Sequence, residues 1–112
     1  MNKKTFPLDA AALRQLAETY PTPFYLYDEA AIRVNAKRIR KAFAIFPDFH
    51  EHYAVKALPN PFVLKILADE GFGADCASIP ELIPAAMVGM KGEEVMLTSN
   101  ETSGEEFATA RR

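Results

Sequence analysis

From residue 50 onward, short apolar runs and helix-period segments take turns along this chain. Residues 50–58 read as a strand, 62–68 as a helix closed by Glu70-Gly71, and 72–78 as a second strand of small residues. A helix over 81–90 follows, with Pro80 suited to its first turn. After a Lys91-Gly92 turn, 95–98 reads as a strand, and Ser103-Gly104 opens a last helix that runs to Arg111-Arg112. Strands joined through helices lie parallel, so this order restricts the chain to a parallel sheet with helices outside it.

Before residue 50 the pattern is different. Residues 1–6 form a polar lead. A helix over 8–20 carries Leu13, Leu16, Ala17 and Tyr20 at helical spacing, with Asp9 as its N-terminal acid, and Pro21-Thr22-Pro23 stops it. The aromatic run 24–27 reads as a strand. Asp28 caps a long helix over 29–46, apolar at Ile32, Ala36, Ile39, Phe43 and Phe46 and basic elsewhere, as a solvated helix face is. Pro47-Asp48 breaks it. Three strands after residue 50 cannot close a barrel, and an eight-unit barrel needs roughly 250 residues. The expectation is therefore the N-terminal part of a larger enzyme; a complete small α/β domain is the alternative.

Composition excludes several functions. The net charge of −2 comes from interspersed charges of both signs, with no basic block for nucleic acid. No apolar run approaches a membrane span, and the basic start has no apolar stretch behind it. A single cysteine, Cys76, forms no internal disulfide, which fits a reducing cytoplasm.

Lys56 is the residue most out of place. Period-two alternation puts His52, Ala54 and Lys56 on one strand face, near the strand's C-terminal end, where α/β sheets bind ligands. Small Ala54 leaves room beside it. Two readings stand. One is a lysine whose stem packs while its head reaches solvent; the other is a desolvated amine acting as a nucleophile. Asp75 similarly interrupts the strand over 72–78, flanked on its face by Gly73 and Ala77. It is either a loop-fixing acid or a carboxylate facing a ligand. Cys76, on the opposite face, reads as a small core residue. Gly71 and Gly73 do not make a dinucleotide-binding pattern. His50 and His52 lack a third ligand at a convincing spacing, so no metal site is expected. Thr98-Ser99-Asn100 brings three hydrogen-bonding side chains to the same rim, as pocket groups or as turn and cap residues.

The motifs match a family in order. Y-A-V-K-A-L-P-N-P over 53–61 resembles the lysine motif of fold-type III, pyridoxal-phosphate-dependent amino acid decarboxylases. G-F-G-A-D-C-A-S-I-P-E-L over 71–82 resembles the second motif, P-F-Y-L-Y-D over 23–28 the N-terminal strand, and M-L-T-S-N-E-T-S-G-E-E-F over 96–107 the third barrel strand and its helix. Relatives commonly carry glycine before the glutamate of I-P-E-L, a mild departure. Within the family the likeness is greatest to diaminopimelate decarboxylases, with ornithine-, arginine- and carboxynorspermidine-type decarboxylases sharing these motifs.

The resemblance implies the first units of an alanine-racemase-like (β/α)8 TIM barrel over 28–112. It implies that 1–27 is a helix and strand packing with a C-terminal β domain. It implies pyridoxal 5'-phosphate as cofactor, held by Lys56 as an internal aldimine in a pocket that includes Asp75 and Ala54. An amino acid is the implied substrate, first of all meso-diaminopimelate, decarboxylated to L-lysine in lysine biosynthesis by a cytoplasmic homodimer; a truncated non-catalytic relative is the remaining alternative. The phosphate-binding loop, the acid facing the pyridine nitrogen and the substrate-carboxylate arginine would lie beyond residue 112. The 112 residues alone are thus expected to be inactive and to hold the cofactor weakly.

Overall fold

Asp9 and Asp28 start the first two helices as the sequence predicts. In the computed structural model, which describes residues 6–111, the Asp9 carboxylate accepts the Ala12 N–H at 2.8 Å and opens α1 (Ala10–Thr19). Asp28 accepts the Ala31 N–H at 3.0 Å and opens α2 (Glu29–Ala42). α2 ends four residues earlier than its apolar pattern suggests, because Phe43, Phe46 and Phe49 turn onto one another; the Phe43 and Phe49 rings stack at 4.5 Å. The polar lead over 1–6 falls outside the described residues except for Phe6.

The strand expected over 24–27 does not form. Phe24–Tyr27 is an exposed connection, and among the described residues the sheet consists of β1 (His52–Ala54), β2 (Gly73–Cys76) and β3 (Val95–Leu97). Aromatic residues favour strands, but a strand also needs a neighbour to complete its hydrogen bonds, and none of the three pairs with this run. The strand expected over 50–58 is likewise shorter. After Ala54 the backbone tightens into a 3-10 turn, Val55–Ala57, closed by the Leu58 N–H on the Val55 carbonyl at 3.2 Å. The chain must turn here, because Pro59 has no N–H to give a ladder and Pro61 already stands in the first turn of α3 (Pro61–Asp69).

The three strands are parallel and adjacent in the order β1-β2-β3. Sequential order with no reversal leaves no switch point, so the units follow one another around a curve as in a barrel rather than fanning both ways. α3 and α4 (Ile79–Met87) cover one sheet face. Val55, Ala74 and Cys76 are fully buried there against Leu64 of α3 and Leu82 and Ala85 of α4, with Tyr53, Val95 and Leu97 packed alongside. By alternation His52, Ala54, Gly73, Asp75 and Met96 point to the other face, where Met96 is half exposed. α5 (Gly104–Ala110) opens with a reciprocal cap between Ser103 and Glu106.

α2 is tied to the end of α3 by charge. Arg33 pairs with Glu29 at 2.8 Å and with Glu70 at 3.1 Å, while Arg40 donates to the Glu70 carbonyl at 2.8 Å. Glu70, buried, thus gains the partners a buried acid requires. Gly71 follows with φ +81°, the left-handed value that lets the chain leave α3 and enter β2.

Cys76 is the core residue the sequence predicts. Burial, with help from the Glu81 and Asp75 carboxylates, pushes its thiol up to about 11 from 9.0. A raised thiol pKa means that the neutral form is favoured in the fold. That contribution to stability is complete below the unfolded value and is lost as pH rises through about 11. At pH 8, iodoacetamide should label Cys76 about a hundredfold more slowly in the folded protein than in denaturant, counting only the loss of thiolate. Equal rates in the two states would contradict its burial.

Candidate functional site

The C-terminal ends of the three strands lie along one edge of the sheet, and the residues singled out from sequence gather there. Ala54 and Asp75 are register partners on β1 and β2, and Asp75 is in turn the partner of Met96 on β3. Lys56 lies two residues past Ala54, on the 3-10 turn rather than on the strand, and is exposed. The turn decides this placement: Val55 goes into the core and the lysine is carried over the strand end. Among the described residues no ion pair engages it.

Asp75 is half-buried, and its Oδ1 accepts a hydrogen bond from the Thr98 hydroxyl. Thr98 is brought there by its own backbone, whose N–H donates to the Cys76 carbonyl at 2.9 Å and extends the β2–β3 ladder by one rung. On the other side of Asp75, Glu81 reaches back from α4. It accepts the Ala77 N–H at 3.0 Å and the Ser78 hydroxyl at 3.1 Å, fixing the loop that leaves β2. Glycine is not needed before Glu81 for this contact; Pro80 takes the first turn of α4 without cost.

Two further arrangements were not foreseen from sequence. At the opposite end of the same face, His52 lies across Gly73, and its Nε2 stands 3.0 Å from the Glu93 carbonyl. A ring nitrogen facing a carbonyl carries the proton, so His52 acts as a structural donor. A glycine inside a strand is the sequence signal for such a close approach. The Arg33–Glu70 tie had no local signal, since its partners are 37 residues apart. Among the described residues, no group of three or more His, Cys, Asp or Glu side chains could hold a metal ion.

Residues 29–112 match the family model described as pyridoxal-dependent decarboxylase, pyridoxal binding domain. The chain belongs to this family. Within the pyridoxal-dependent decarboxylases it is similar to Protein TabA of Pseudomonas amygdali pv. tabaci, 44% identical over 108 residues that cover 96% of this chain and 24% of that protein. It is 37% identical to a diaminopimelate decarboxylase of Bacteroides thetaiotaomicron over 94 residues, 84% of this chain and 23% of that one. Its fold superposes on the crystal structure of lysine decarboxylase from Selenomonas ruminantium with a TM-score of 0.82 at 27% identity, covering 96% of this chain and 27% of that one. The chain spans about a quarter of the length of the curated relatives it matches. Its sheet and helices are the opening units of the family's β/α barrel.

The family's cofactor is pyridoxal 5'-phosphate, and the strand-end residues fit it. An aldehyde cofactor needs an unpaired primary amine, which Lys56 offers. A flat ring needs little bulk beside the amine, and Ala54, the register partner of Asp75, adds only a methyl group there. The Asp75 carboxylate is itself fixed at one oxygen.

Proposed function

We propose that this chain carries the reactive lysine of a pyridoxal-phosphate-dependent amino acid decarboxylase. The carrying observation is the family match over 29–112, which includes Lys56 and Asp75. In this reading Lys56 is the residue that would hold the cofactor, through Nζ, and its amine, when free, would move a proton. Ala54 leaves the approach to that amine open. Asp75 supplies a negative charge beside it. When bound, the cofactor supplies an electron sink for the pair left behind as CO₂ departs.

The substrate in this proposal is meso-diaminopimelate and the product L-lysine, in a cytoplasmic homodimer of the full-length protein. The diaminopimelate decarboxylases among the relatives support it. The likeness to a lysine decarboxylase favours a second reading, in which another basic amino acid is taken. Residues 1–27 are assigned to a lead that packs on a further β domain, a role for which exposed Phe24 and Tyr25 are suited. The test is CO₂ release by the full-length protein from diaminopimelate, ornithine, arginine, lysine and carboxynorspermidine. Diaminopimelate should exceed each of the others in kcat/KM by at least about a hundredfold, the margin that a site built for a second carboxylate gives. Preference for a substrate lacking that carboxylate would overturn the assignment, and no turnover of any of them would remove the decarboxylase reading.

A further inference from the structure

The Thr98 hydroxyl is bonded to the Asp75 carboxylate at the strand-end site, and the surroundings of Asp75 explain why that bond matters. On its own strand Asp75 is flanked on the same face by Gly73 and Ala77, and across the β1–β2 register it faces Ala54. None of these has a side chain able to hydrogen-bond or to crowd a carboxylate into one rotamer. On the β3 side its register partner is Met96, which offers no donor either. Thr98, two residues further along, supplies the sole protein hydrogen bond to the Asp75 side chain among the described residues, through Oδ1. Oδ2 is left without a protein partner there. Thr98 itself is held by its backbone bond to the Cys76 carbonyl, so the hydroxyl is anchored to the same strand that carries Asp75.

We propose that Thr98 is a positioning residue: its hydroxyl fixes the Asp75 carboxylate by one oxygen, so that the other stays available to a donor in the cofactor site. The inference rests on the placement of Asp75 in that site under the proposed function. An ionised carboxylate only accepts, so the hydroxyl must donate, and a bond to a charged acceptor is among the stronger side-chain hydrogen bonds. Without it Asp75 is free to swing toward water.

The test is titration of pyridoxal phosphate into the full-length apoprotein, following the absorbance of the bound cofactor. Thr98→Val keeps the branched shape and removes the donor; it should raise the apparent Kd about tenfold, and Thr98→Ser should restore it to within about twofold. Asp75→Ala, which removes the acceptor, should weaken binding by itself, and Thr98→Val should then add nothing, because its only route of action is gone. Additive losses in the double variant would reduce Thr98 to a strand-stabilising residue and overturn the inference. An effect of Asp75→Ala with none from Thr98→Val would also overturn it while leaving the cofactor site in place. No effect from either variant would remove Asp75 from the site and the inference with it. Matching melting temperatures for Thr98→Val and Thr98→Ser keep a folding defect from imitating the expected result.

Discussion

Replacing Lys56 by alanine should abolish covalent attachment of pyridoxal phosphate to the full-length protein and lower decarboxylation by on the order of a thousandfold. The structure makes this a sharp experiment. Lys56 is exposed on a 3-10 turn, outside both apolar clusters and outside the ion pairs. An exposed side chain away from caps and cores usually contributes within about ±0.5 kcal/mol to stability. The variant should therefore melt with the parent while losing its chemistry. Borohydride reduction in the presence of the cofactor should place the stable adduct on the peptide holding Lys56 and on no other. Persistence of the cofactor's visible band in Lys56→Ala, together with the parental rate, would sink the assignment. A large loss of melting temperature would instead mean that the turn depends on the lysine stem.

The largest expected effect on stability lies at Gly73. A Cβ there would stand 2.5 Å from His52 Cδ2, 2.8 Å from His52 Nε2 and 2.6 Å from the Glu94 carbonyl oxygen. The histidine could swing aside by giving up its 3.0 Å bond to the Glu93 carbonyl. The Glu94 oxygen is backbone, in the 3-10 turn Gly92–Glu94 that feeds β3, and can retreat only if that turn moves away from β2. Gly73→Ala should destabilise the fold by about 2–3 kcal/mol, the upper part of the range for forcing extra volume into a packed site. In a thermal melt that is a clear drop of several degrees. His52→Ala in the same chain should recover only part of it, because the carbonyl clash remains. A Gly73→Ala protein melting with the parent, or full recovery by His52→Ala, would refute this account. Asp75 lies two residues along the same strand, so a shift of β2 at Gly73 should also weaken cofactor binding.

The helix starts were readable because each depends on a few adjacent atoms: Asp9, Asp28 and Ser103 cap within three residues of themselves. The parallel order of β1, β2 and β3 was readable because a strand followed by a helix has few other ways to rejoin a sheet. The run 24–27 was misread for the complementary reason. Its residues suit a strand, but strand formation depends on a partner that adjacent residues do not reveal. Lys56 stands out as the odd residue in an apolar run, but alternation puts it on a strand that has already ended.

The sequence by itself determined the helix caps, the βα alternation, the burial of Cys76 and, through four ordered motifs, the family. Those properties are written in neighbouring residues or in short spacings. Only the tertiary structure decided that Ala54 and Asp75 stand abreast and that Thr98 holds Asp75. These depend on the register between strands some 20 residues apart in the chain, and register is set by how whole faces pack.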